Sequence, residues 1–273
     1  MERLDTLILF GKAPVPGTVK TRLCPPLSPR EAAGLYSCLL EDAAEEAGRL
    51  RGVRRYIFFA PPEGEAYFRA GTFSAFHIRP QAGSDLGERM ERATLAAFAG
   101  GARRVVVIGA DCPALSGGII RSAFRELSNA AGAVFGPAED GGYYLVGLGE
   151  PAPFLFRGIE WGSPTVLATS LSRCRDAGIP YALLPGKSDV DTAEDLVSLR
   201  RWARAHARPP CPRTRSWLKN FLPAITCSGS AVSLPRPDES GSAPSPGRRS
   251  RSAGSPPSTL CVGPRSRSFR FPR

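Results

Sequence analysis

A chain of 273 residues, 42% hydrophobic and 22% charged, is long enough to bury one sizeable core. Its formal net charge is +11, but residues 1–205 account for only +1 of it and residues 206–273 for the other +10. The basicity therefore sits outside the part that can fold, which argues against a basic domain built to grip DNA or RNA.

In chain order, residues 4–10 read as a short apolar strand followed by a Pro/Gly-rich loop, GKAPVPGTVKTRL. Ser28, Pro29 and Glu31 form a helix-start signature, and that helix runs to about residue 50. Strands are expected at 53–60 and 76–79, with a short helix after Pro61-Pro62 between them. Asp85 can cap a helix over LGERMERATLAAFA. Residues 104–109, RVVVIG, have the continuous β-branched run of a buried parallel strand. Then come a helix at 116–128, strands at 133–137 and 143–148 around an acidic glycine turn, a helix at 163–177, a strand at 179–184 and a helix at 192–205. The alternation predicts a three-layer α/β fold: a mostly parallel sheet, helices on both faces, and one hairpin-like insertion after the fourth strand.

From residue 206 the texture changes to Pro, Ser and Arg with almost no acids. We read 1–205 as the domain and 206–273 as a basic, disordered tail in which residues 217–225, WLKNFLPAI, form at most one turn of helix. Such a tail suits loose contact with anions, and a neutral extension explains it equally well. The seven cysteines are odd in number and contain no CxxC pair, and His77 and His206 are the only histidines. Disulfide frameworks, zinc sites and histidine triads therefore lack material. The opening MERLDTLILFGKAPVPG is no signal peptide and no stretch reaches membrane-spanning length, so the cytoplasm is the expected compartment.

Three loops after strands carry the chemistry, where ligands of open α/β sheets sit. In the first, Lys12, Lys20 and Arg22 supply cations and Gly11 and Gly17 let backbone approach a di- or triphosphate. It matches neither GxGxxG nor GxxxxGK[ST]. In the second, Asp111 follows a buried strand inside IGADCP and can hold a divalent ion, while Cys112 reads as a small buried residue. In the third group, Glu139 and Asp140 lie on a glycine turn, and Asp189 and Asp191 precede a helix. Asp191 and Glu194 also read as a plain capping box, which leaves Asp189 unexplained. Gly83, Ser84 and Asp85 at a helix start are candidates for a base, ribose or phosphate, with Arg89 one turn on. Trp161 is a candidate wall of an acceptor pocket.

FGKAPVPGTVKTRL, QAGSDLGERM, IGADCPAL, GPAEDGGYYLVGL, IEWGSP and SDVDTAEDL, in this order over residues 4–200, resemble the bacterial DUF2064 family. That family is described as glycosyltransferase-like and as a transferase of radical-SAM and selenium- or arsenosugar gene clusters. The resemblance implies a GT-A, or nucleotide-diphospho-sugar transferase, fold related to molybdenum-cofactor and phospholactate guanylyltransferases. It implies that Gly11–Arg22 wraps the nucleotide, with Lys20 and Arg22 on phosphates, and that Asp111 holds Mg²⁺ or Mn²⁺ with Asp189 or Asp191. It also implies that Asp140, Gly141, Gly142, Tyr143 and Trp161 face the acceptor, so Asp140, Glu139 and Lys20 are the candidate catalytic residues. Two departures stand out. The GGxSxRMG-type opening of nucleotidyltransferases is replaced by FGKAPVPGTVKTR, and the Asp-x-Asp of glycosyltransferases by Asp111-Cys112-Pro113.

The expected partners are a nucleotide-activated donor and a small-molecule acceptor. Glycosyl transfer from an NDP-sugar is the first expectation, following the resemblance. Nucleotidyl transfer from an NTP, with pyrophosphate released, is the alternative that the cation-rich loop suits. A non-catalytic nucleotide-binding protein is the third.

Overall fold

The computed structural model describes residues 4–206 and 209–221. Among them, seven strands form one sheet: β1 (Asp5–Lys12), β2 (Val53–Ala60), β3 (His77–Pro80), β4 (Val105–Ile108), β5 (Ala133–Pro137), β6 (Tyr143–Leu148) and β7 (Tyr181–Leu183). Their order is β3-β2-β1-β4-β6-β5-β7. Every pairing is parallel except the two made by β6, which runs antiparallel to both β4 and β5. The helices are α1 (Pro29–Gly48), α2 (Glu65–Phe68), α3 (Leu86–Ala99), α4 (Gly117–Ser128), α5 (Val166–Asp176), α6 (Ala193–Ala205) and α7 (Pro212–Phe221). This is the expected three-layer α/β arrangement, with the antiparallel β6 as its insertion.

The layers follow from residue alternation along the strands. Leu7 and Leu9 of β1 point into one core with Tyr36 and Leu40 of α1 and Ile120 and Phe124 of α4. Ile8, between them, points into the opposite core with Met90, Ala93 and Ala97 of α3 and Cys174 of α5. All four residues of β4 are buried, because helices cover both faces. Helix starts are fixed locally. The Ser28 hydroxyl accepts from the Glu31 amide while the Glu31 carboxylate accepts from the Ser28 amide, the predicted capping box.

β1 leads to β2 and β3 on one side of the sheet, and β4 adds on the other, so the strand order switches direction between β1 and β4. The two pair only as far as Leu9 and Ile108. Phe10, Gly11 and Lys12 run on, bonded to β2 alone. That overhang leaves a notch at the carboxyl edge of the sheet, the place where such sheets bind ligands. Gly11 and Lys12 thus belong to the strand end and not, as expected, to the loop.

The packed domain does not stop at residue 205. Helix α7 lies on α1 and α6, with Trp217 and Leu218 buried among Leu35, Leu39, Leu196 and Leu199. The Asp42 carboxylate of α1 accepts the backbone N–H groups of Arg213 (3.0 Å) and Thr214 (2.9 Å), capping α7 from another helix. The anticipated turn over 217–225 begins earlier, at Pro212, and the rest of the anticipated tail lies outside the described residues. Among the described residues no helix is long and apolar enough to cross a membrane.

Candidate active site

A cavity of about 600 Å³ fills the notch, reached by the ends of β1 and β4, the loop after β1, the start of α3, the β5–β6 turn and the 186–191 segment. The loop after β1 is shaped by its own bonds. Ala13 N–H donates to Ala60 O (2.8 Å), and Gly17 turns at φ 83°. Val19 is buried in the core, and the next residue, Lys20, adopts a left-handed backbone at φ 49°, ψ 39°. A lysine in that region is strained, and the strain turns its side chain back into the cavity, where it is only 6% exposed. Its Nζ lies 2.5 Å from Asp111 Oδ1 and 3.7 Å from Asp191 Oδ1. Arg22 Nη1 donates to Asp191 Oδ2 at 3.0 Å.

Asp111 follows β4 through Gly109 and Ala110, and its backbone carbonyl accepts from Val190 N–H (3.0 Å). The 186–191 segment is stitched to the end of β5 as well. Lys187 N–H donates to Pro137 O, and Glu139 N–H to Lys187 O. These bonds set Asp189 and Asp191 beside Asp111. Asp189 Oδ1 is buried with no hydrogen-bond partner. Burial first, then the nearby charges of Asp111 and Asp140, push the Asp189 carboxyl up to about 7, against the opposing pull of Lys20. The capping box of α6 is displaced by one residue from its expected place. Thr192 is the cap and Asp195 its partner, which releases the Asp191 carboxylate to the cations.

The other wall is aromatic. Tyr143 and Trp161 meet edge to face, ring centres 6.1 Å apart. Trp161 packs so closely on the first turn of α3 that a Cβ on Gly87 would stand 2.4 Å from its Nε1. Between the two walls lies Asp140, whose Oδ1 accepts from Gly142 N–H (2.8 Å). Gly141, at φ 87°, passes so near Pro164 that a Cβ would stand 2.1 Å from its carbonyl oxygen.

The cavity therefore brings together Gly11, Lys12, Lys20, Arg22, Asp111, Asp140, Gly142, Tyr143, Trp161, Asp189 and Asp191. Gly17, Gly83, Asp85, Glu139 and Gly141 do not line it. Glu139 is exposed and serves the sheet through its backbone. Asp85 caps α3 through Glu88 N–H (2.8 Å), and Gly83 offers its carbonyl to Arg89 Nε (3.0 Å), which keeps Arg89 on the cavity. Cys112 is buried, its thiol pushed up to about 12 by burial and then by Asp189, so it is no nucleophile at neutral pH. Two residues escaped the sequence reading. Gln81 Nε2 donates to the carbonyls of Gly11 (3.1 Å) and Phe58 (2.9 Å), and the Tyr36 hydroxyl accepts from Lys12 N–H (2.9 Å). A polar residue directly after β3 is the only sequence signal for Gln81.

Among the described residues no three His, Cys, Asp or Glu side chains are already grouped to hold a metal ion. The buried, unpartnered oxygen of Asp189 beside Asp111 and Asp191 is nonetheless an all-oxygen donor set. Such donors suit Mg²⁺ or Mn²⁺, which take their remaining ligands from water and phosphate.

The family DUF2064, described as an uncharacterized protein conserved in bacteria, matches residues 43–163. A solved structure from Desulfovibrio desulfuricans G20, provisionally named a nucleotide-diphospho-sugar transferase, is 34% identical over 81% of this chain and 97% of that one, with a TM-score of 0.75. A cytidylyltransferase from Leptospira borgpetersenii serovar Hardjo-bovis is 12% identical over 84% of this chain and 99% of that one, TM-score 0.49. Rv0371c from Mycobacterium tuberculosis H37Rv, in complex with manganese, is 14% identical over 73% and 98%, TM-score 0.43. The last two likenesses are too slight to bear on chemistry. No curated protein matches the chain.

Proposed function

Because the chain belongs to the DUF2064 family and has a nucleotide-diphospho-sugar transferase-like fold, we propose that it is a metal-dependent transferase that moves a glycosyl group from an NDP-sugar to a small-molecule acceptor. The observation that carries this reading is the contact of the buried Lys20 side chain with the half-exposed Asp111 carboxylate, 2.5 Å apart, at the notch between β1 and β4. It sets a phosphate-binding cation and a metal-binding carboxylate in contact at the edge where nucleotides bind.

Lys20 and Arg22, with Lys12 at the rim, bind the diphosphate of the donor. Asp111, with Asp189 or Asp191, would hold Mg²⁺ or Mn²⁺, which when bound neutralises charge on a leaving diphosphate. Tyr143 and Trp161 offer an aromatic corner to a sugar ring or acceptor. Asp140, held by the Gly142 amide, takes the proton from the acceptor hydroxyl. Glu139, turned to solvent, has no part.

Nucleotidyl transfer is the second reading, favoured by the three cations Lys12, Lys20 and Arg22 on one side of the cavity. Product analysis decides between them. The full chain is incubated with Mg²⁺ or Mn²⁺, panels of NDP-sugars and NTPs, and a small-metabolite extract. A nucleoside diphosphate with a glycosylated product is the expected result, and pyrophosphate with a nucleotidylated product overturns it. Asp111→Asn should lower turnover by about 100-fold or more with little change in stability, since it removes one charged ligand and no core volume.

A further inference from the structure

We propose that Lys20 is a built-in counter-cation which occupies the metal-binding acids until a nucleotide draws it away, so that metal and nucleotide each bind more tightly when the other is present. The inference rests on the nucleotide-site reading above and concerns how that site is loaded. Lys20 Nζ stands between two of the acids, 2.5 Å from Asp111 Oδ1 and 3.7 Å from Asp191 Oδ1. Apart from this ion pair, Asp111 Oδ1 is buried and accepts no hydrogen bond. The lysine is not a surface side chain that settled there by chance. It is 6% exposed, and its backbone is held in the left-handed region that a non-glycine residue rarely adopts. Strain of this kind persists only where surrounding structure enforces it, here the buried Val19 before it and the buried Leu23 after it.

A divalent ion on Asp111 would meet the ammonium group at contact distance, and like charges in a sheltered cavity repel strongly. A phosphate chain changes the balance. It offers the ammonium group new anionic partners and frees Asp111 for the metal. Asp191 has a second cation, Arg22 at 3.0 Å, besides Lys20. Metal and nucleotide should therefore raise each other's affinity by the same factor, as linkage requires.

The test is a Mn²⁺ titration of the full chain by electron paramagnetic resonance of free Mn²⁺, alone and with saturating UDP, CDP or GDP, each corrected for Mn²⁺ bound by the nucleotide itself. For the wild type, at least one diphosphate should tighten Mn²⁺ binding tenfold or more. Lys20→Met should bind Mn²⁺ without nucleotide at least tenfold more tightly than wild type, and should lose most of the coupling. Lys20→Arg, which keeps the charge, should gain no such affinity. If the methionine variant does not fold, Lys20→Gln is measured in its place, and a neutral variant that folds but gains no Mn²⁺ affinity without nucleotide overturns the inference. Equal Mn²⁺ affinity of the wild type with and without every diphosphate, at a site that Asp111→Asn abolishes, overturns the Lys20 inference and leaves the transferase reading standing. No Mn²⁺ binding by any of the proteins under any condition overturns both.

Discussion

At the scale of single residues the site is a balance of four acids and a few cations, and Asp189 is where that balance is most strained. Its carboxyl, pushed up to about 7, holds a proton that the unfolded chain has already lost near its ordinary 3.8. Folding stability of the metal-free protein should therefore fall as pH rises from about 4 to 7, and stay level above. Asp189→Asn removes that cost. At pH 8, without divalent ions, the variant should be more stable by on the order of 1 kcal/mol, a melting temperature about 2–4 °C higher, with the gain gone at pH 4. An equal difference at both pH values would discard this account. The cations and acids themselves were legible in the sequence because each lies at the end of a strand or in the loop after one. Asp191 and Thr192 both make good caps, so spacing alone could not tell which one starts α6. The parts played by Gln81 and Tyr36 are set by neighbours 70 and 24 residues away, and no local pattern records them.

At the scale of elements, the β5–β6 turn and α7 make the sharpest claims. Gly141 and Gly17 both have positive φ, but only Gly141 is hemmed in, by the Pro164 carbonyl. Gly17→Ala should cost about 1 kcal/mol, the backbone penalty alone. Gly141→Ala should cost more, and should lower turnover too because the turn carries Asp140. Chemical denaturation and activity of the two variants check the contrast. For α7, Trp217→Ala should cost about 3 kcal/mol as a buried aromatic is lost. Asp42→Ala should cost about 1–2 kcal/mol by uncapping Arg213 and Thr214. If α7 were an idle appendage, neither change would move the melting temperature. The helix was hard to read because its cap comes from α1, far away in sequence, and because the Pro- and Arg-rich composition around it resembles a solvated tail. By contrast α1, with Ser28, Pro29 and Glu31 within four residues at its own start, was plain.

At the scale of the whole molecule, strand–helix alternation was enough to read a mostly parallel sheet covered on both faces. What alternation does not contain is register. The cavity exists because β1 outruns β4 by Phe10, Gly11 and Lys12, and that offset is decided by packing between strands almost a hundred residues apart. The same distances bear on how the protein comes into being. Arg22 and its acid, Asp191, are separated by 169 residues, and the strap that carries Asp191 is bonded back to Asp111 through Val190. A chain leaving the ribosome has its cationic loop early but no finished cavity until residue 191 has emerged and docked. A ligand that needs both ends can stabilise only the completed domain. A nucleotide bound across that cavity would hold finished molecules, slowing their unfolding, and would give no help to those still being made.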